Sequence, residues 1–407
     1  MKKGTVLPVI ERLLKEKETV NVACVGDSIT EGWRSSNPAL HSYPAVLQEL
    51  IGNRFKVKNY GIGGSTVMRC SDMPFREKWG YIDSIADRPD LVIFMMGTND
   101  CNREFNIRRL GGFYADFVSY INEYHQVGAE FIVMTSPELF CNVNNEHIRR
   151  AVEWQKTAAE RMGCALIDIN TWSHENPACF PDDVHCDDPG YASMAYFIAN
   201  EAFGVDLFPV KIKTEPFATV KCGKAKIKAD EKGETEFLLP KGEYTAKAFL
   251  AGYKSGNVKV TAGDKSEVTE IPLEKGGVLL SENKPVTASS SEWNNPASNA
   301  VNGKDDESRW ASFGNDDEHI TVDLQGEYTV TGVYLSWEAA YATSYQILAS
   351  NDGENFFVAG EVSGGLGGED EVEICIDEKV RYVRMQGIKR GTVYGYSLYH
   401  FKVYGIE

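Results

Sequence analysis

At 407 residues, with 43% apolar and 25% charged side chains, the chain has an ordinary globular composition. It is longer than one core usually grows, so two or three domains are expected. Its formal charge of −17 disfavours nucleic acid and anionic membranes as partners, and no apolar run approaches the ~18 residues of a membrane-spanning helix.

The first twenty residues, MKKGTVLPVIERLLKEKETV, begin basic but have no apolar core, because charges interrupt VIERLLKEKE at once. No signal peptide is read there. The nine cysteines are odd in number, and no compact pair has the spacing of a structural zinc site. Free thiols are the expectation, with Cys179 and Cys186 as the pair able to bridge in an oxidising compartment. These features point to the cytoplasm, or to secretion if an export signal has been removed.

Residues 19–207 alternate short apolar runs with helical patterns. The runs are VNVACVG (20–26), FKVKNYG (55–61), DLVIFMMG (90–97), EFIVMTSP (130–137) and CALIDI (164–169). Between them lie amphipathic stretches such as SYPAVLQELIG and HIRRAVEWQKTAAERMG, the second ending at Gly163, as helices often do. Continuous apolar strands separated by helices predict a buried parallel sheet in an α/β layer sandwich. Catalytic groups then belong in loops past the strands' carboxyl ends.

From residue 208 the helical signal stops. Residues 208–273 read as short alternating strands with Gly, Asp and Pro turns, a small β-sandwich expected to act as a spacer. Residues 274–407 are also β: HITVDLQGEYTVTGVYLSW, SYQILASNDGENFFVAG and KVRYVRMQGI fall at sandwich-like spacing, and NDGE is a hairpin-turn signal. Three domains are expected, over 1–207, 208–273 and 274–407.

The stretch VACVGDSITEGW puts Ser28 directly after an apolar run. Acyl transfer by serine needs a base, an acid to orient the imidazole, and donors aimed at the oxyanion. His185, in PDDVHCDDPGYASM, precedes a helix-like run and is the candidate base. Asp182, three residues before it, could reach the imidazole nitrogen facing away from the serine; Asp183 competes, and geometry leaves both open. Donors are available from the Ser28 amide, from the glycines of NYGIGGSTV (59–67) and from Asn99 in GTND (97–100). Each arrives from a different strand end. Asp27 and Asp100 read as anchors that hold these loops together, and Cys101 and Cys186 as bystander thiols.

These four stretches, in this order, resemble the blocks of the SGNH (GDSL-type) hydrolase superfamily over residues 19–205. The resemblance implies a three-layer, flavodoxin-like α/β domain. It implies Ser28 as nucleophile, Gly64 and Asn99 as oxyanion donors, and Asp182 and His185 as acid and base. No cofactor is required for such chemistry.

Near the C-terminus, NKPVTASSSEW, ASNAVNGKDDESRWAS and RYVRMQGIKRGTVYGYSLYHFKVYG resemble discoidin-like (coagulation-factor type C) domains of the galactose-binding-like fold. That resemblance implies a jelly-roll β-sandwich, often a carbohydrate-binding module in bacterial glycan-degrading proteins. Family members often hold a structural calcium with carboxylates at positions that read Asn302 and His400 here, which weakens the site, although Asp305 and Ser308 could contribute. Trp293, Trp337, Tyr341 and Tyr394 are the aromatics available for sugar stacking, and Trp33 and Tyr43 for an acyl pocket.

The combination implies an acylated oligo- or polysaccharide as substrate, with a short acyl group, acetyl foremost. Two alternatives are a lipolytic or thioester hydrolase of the same superfamily and a non-catalytic glycan-binding protein.

Overall fold

The computed structural model describes residues 1–406 apart from 141–144, 266, 305–307, 364, 366, 375 and 377. Cys141, Cys375 and Asp305 therefore lie outside the described residues.

Five strands, β1 (Val20–Gly26), β2 (Phe55–Asn59), β3 (Leu91–Met95), β4 (Glu130–Met134) and β5 (Ala165–Ile167), form one parallel sheet in the order β2-β1-β3-β4-β5. Helices cover both faces, which is why these strands are apolar throughout rather than alternating. Val22 and Cys24 point to the layer built by Pro8–Glu16, Tyr43–Ile51 and Asp188–Phe203, whereas Ala23 and Val25 point to the layer of Phe113–Gln126 and Asn145–Met162. The strand order reverses between β1 and β3, and such a switch point opens a crevice at the carboxyl ends.

β1 spans its whole apolar run, whereas β2 to β5 stop two or three residues short of theirs. Met96, Thr98, Thr135 and Ser136 have left the sheet but stay buried as the floor beneath that crevice.

Strands Leu207–Lys213, Glu234–Pro240 and Val268–Glu270 form one sheet of the next unit, and Thr219–Cys222, Ala225–Lys228, Gly242–Phe249 and Gly256–Ala262 the other. Its buried side chains, among them Phe208, Val220, Phe237 and Leu239, belong to the same apolar cluster as Tyr191, Ala195 and Ile198 of helix Asp188–Phe203. The two units share one core.

The last unit has its own core around Trp310, Tyr345, Phe401 and Val403. Its longest strand, His319–Trp337, pairs with Val380–Arg390 through residues 319–323 and with Ser397–Ile406 through 329–337. The register breaks between Asp323 and Tyr328, with Gln325 at φ 61°. One strand thus crosses from one sheet to the other, as at the corner of a sandwich. The parallel α/β sheet followed by β-rich units is the fold class expected from the sequence.

Candidate active site

Ser28 opens a one-turn helix, Ser28–Glu31, directly past β1. The turn is tight: a Cβ on Gly26 would lie 2.1 Å from Thr30 Oγ1 and 2.4 Å from the Met95 carbonyl. Asp27 caps the helix, its Oδ1 accepting from the Ile29 amide at 3.1 Å. The chain leaves through Gly32 at φ 91°. Ser28 is thereby held at a strand end with only 9% of its surface exposed.

His185 reaches it from the loop before helix Asp188–Phe203, with Nε2 2.9 Å from Ser28 Oγ. On the far side of the ring, Nδ1 lies 2.9 Å from Asp182 Oδ2. The other oxygen, Oδ1, accepts from the Val184 and His185 amides at 3.0 and 2.5 Å. A third residue reaches Oδ2: Arg34 Nη1 donates to it at 3.0 Å. Burial alone pushes the Asp182 carboxyl up, but the His185 contacts and the Arg34 charge outweigh it and leave the group at about 2. Asp183, the competing residue, instead forms a left-handed turn at φ 68°, its carbonyl accepting from Phe140.

Gly64 follows β2 at φ 77°, and a Cβ there would lie 3.1 Å from both Arg103 Nη2 and Met73 Sδ. Among the described residues, neither the Ser28 nor the Gly64 amide has an acceptor. The loop is tied to the serine turn by Asn59, whose side chain donates to the Thr30 carbonyl (2.7 Å) and accepts from Gly61 (2.9 Å).

Asn99 follows β3 after Gly97, which sits at φ 146° with its Cα facing Ser136 and Gln155. Its Nδ2 donates to the Ser65 carbonyl at 3.0 Å, leaving a second N–H on that amide. Next to it, buried Asp100 accepts from the Val67 and Met68 amides at 2.9 and 3.0 Å, locking the loops after β2 and β3 together. Burial raises Asp100 to about 7 and Asp27 to about 6, with the proximity of the two carboxyls contributing at Asp100.

Trp33 is 57% exposed, its ring centroid 6.5 Å from that of His185. Tyr43, in contrast, is a core residue with its hydroxyl 3.2 Å from Thr30 Oγ1, so it lines no acyl pocket. The thiols of Cys101 and Cys186 are buried and pushed well up by desolvation, and Cys179 and Cys186 are both free.

In the last unit Trp293 and Tyr394 are strongly exposed, whereas Trp337 is core. Asn302 donates to Ser308 Oγ and accepts from Lys304, each at 2.9 Å. The carboxylates of residues 305–307 beside them lie outside the described residues. Among the described residues, no group of three or more His, Cys, Asp or Glu side chains could hold a metal.

Sequence reasoning missed Arg34. Nothing in GWRSS marks an arginine as a partner of the acid, or shows that its backbone is left-handed at φ 69°.

Residues 24–192 match the model of the GDSL-like lipase/acylhydrolase family, and residues 285–401 that of the F5/8 type C domain. A curated acetylxylan esterase of Xylanibacter ruminicola is 26% identical over 208 residues, 45% of this chain and 43% of the relative. The chain thus spans under half the length of that relative. Among solved structures, chitosan-binding module 1 of a Paenibacillus sp. IK-5 chitosanase/glucanase is 42% identical, covering 31% of this chain and 99% of that one, at a TM-score of 0.30. Module 2 of the same enzyme, solved with chitotriose, is 34% identical over the same shares with the same TM-score. The chain carries a GDSL-like lipase/acylhydrolase domain followed by an F5/8 type C domain.

Proposed function

We propose that the protein is a serine esterase that removes short O-acyl groups, acetyl foremost, from carbohydrates. The observation that carries this reading is the line from Ser28 Oγ through His185 to Asp182, with both hydrogen bonds at 2.9 Å. His185 Nε2 takes the Ser28 proton as Oγ attacks the ester carbonyl, and Asp182 holds the ring and stabilises the imidazolium. The Ser28 and Gly64 amides and the second Asn99 N–H stabilise the tetrahedral oxyanion, each typically contributing ~3 kcal/mol. The alcohol leaves with the proton from His185, and water activated by the same nitrogen then releases the acyl group.

The GDSL-like domain supports an acylhydrolase, and the likeness to an acetylxylan esterase supports a carbohydrate ester. The F5/8 type C domain points the same way by association. Exposed Trp33 beside His185 offers an apolar face for a sugar ring.

The test is acetate release from acetylated xylo-, manno- and amino-sugar oligosaccharides, run beside fatty-acyl esters, with the parent and Ser28→Ala. The expected result is acetate release by the parent and loss of at least ~1,000-fold in the variant. A variant as active as the parent, or preference for long acyl chains, would refute the reading.

A further inference from the structure

Arg34 belongs to the catalytic unit, yet its guanidinium is gripped from two sides. One Nη donates to Asp182 Oδ2 at 3.0 Å, and the other lies 3.5 Å from the Gly365 carbonyl in the C-terminal unit. The guanidinium carbon sits 5.3 Å from the Tyr341 ring centroid, also in that unit. Its Nε is buried and has no partner among the described residues.

The C-terminal side of this contact is built to stay in place. A Cβ at Gly367 would lie 2.9 Å from the Tyr341 ring, and one at Gly391 only 2.4 Å, so the ring lies directly against both backbones. The Tyr341 carbonyl accepts from Gly391 at 2.8 Å. Below, half-buried Asp370 accepts from Trp337 Nε1 at 2.8 Å and from the Tyr345 hydroxyl at 2.9 Å, fixing the segment just past Gly367. Further contacts anchor the unit itself: Lys228–Glu369 at 3.5 Å, Lys247 with Glu373, and the Phe249 ring against Gly332.

The catalytic side is equally constrained. Arg34 holds a left-handed backbone, which is strained for a non-glycine residue and persists only where surroundings enforce it. Tyr191 helps to enforce it, its hydroxyl donating to the Trp33 carbonyl at 2.8 Å.

We propose that Arg34 is a positioning residue through which the C-terminal unit completes the active site: Tyr341 and the Gly365 carbonyl hold the guanidinium against Asp182, and so hold the acid against His185. This role rests on the Ser28–His185–Asp182 triad proposed for the esterase. The C-terminal unit would then act on turnover itself, including turnover of a substrate too small to touch it.

The test uses the full chain and an aryl acetate. Tyr341→Ala should lower kcat about 3- to 10-fold, the range of a partly desolvated cation–π contact, with KM unchanged. Tyr341→Phe keeps the ring and should retain parental kcat. Arg34→Ala should lower kcat by more than either, and adding Tyr341→Ala to it should cause no further loss, because the two act through one contact. Thermal melts of all variants separate this from general unfolding. Parental kcat in Tyr341→Ala, or equal losses from Tyr341→Ala with and without Arg34, would overturn the proposal. Ser28→Ala, assayed alongside, distinguishes the two readings: if it keeps activity, the triad reading fails; if it alone loses activity, only the role of Arg34 fails.

Discussion

Asp182→Asn changes one atom, and the contacts around that atom determine its cost. Both carboxylate oxygens accept from two donors: Oδ1 from the Val184 and His185 amides, and Oδ2 from His185 Nδ1 and Arg34 Nη1. An asparagine must place its NH₂ against one of these donor pairs. If it faces the two backbone amides, two buried N–H groups lose their acceptor. If it faces outward, it meets the Arg34 charge and the imidazole, which can accept from it only by moving its proton to Nε2. That tautomer cannot take the Ser28 proton. A loss of this kind lowers kcat about 10,000-fold, or ~5.4 kcal/mol at 1.36 kcal/mol per decade. Initial rates on an aryl acetate at neutral pH measure it, with a melting curve to show that the variant is folded. A folded variant within tenfold of the parent would show that Asp182 does not set the tautomer.

Asn99→Ala removes a proposed oxyanion donor and should lower kcat about 100- to 1,000-fold with little change in KM; a rise in KM alone would count against that role. Asp182, held at about 2 against an ordinary 3.8, contributes stability above the ordinary value that is lost as pH falls towards 2. Asp100 has the opposite sign: raised to about 7, it favours the folded state when protonated, and this contribution disappears as pH rises through 7. The Tm gap between the parent and Asp100→Asn should therefore shrink between pH 5 and 8, and a gap that widens would reverse the assignment. Trp33→Ala should raise KM for acetylated oligosaccharides about fivefold, or ~1 kcal/mol, and leave aryl acetate unaffected; equal effects on both would place Trp33 outside sugar contact.

Ser28, Gly64, Asn99 and His185 were legible in the sequence because each stands in a short stretch next to an element boundary. Their roles depend on backbone turns that glycine permits, at Gly26, Gly64 and Gly97. Asp182 and Asp183 were indistinguishable there, since spacing does not reveal that Asp183 takes the left-handed turn. Tyr43 lies close to the motif along the chain but faces the core, because its position on helix Tyr43–Ile51 points it at the sheet. Arg34 was invisible for a different reason: its partner at Gly365 is 331 positions away. Helix Asp188–Phe203 is apolar nearly all round, which marks it as buried but does not show that the next sandwich supplies part of the cover.

That last arrangement bears on how the chain is made. Helix Asp188–Phe203 is synthesised with side chains whose neighbours, Phe208 to Leu273, have yet to be translated. Domains usually fold as units while the ribosome is still working, but here the first sheet could be paired while one helical layer still lacked its cover. Ser28, near the start of the chain, and His185, at the foot of the uncovered helix, are both translated before that cover exists. A nascent chain stalled before residue 273 would therefore leave apolar side chains of that helix uncovered and be a natural client for a chaperone.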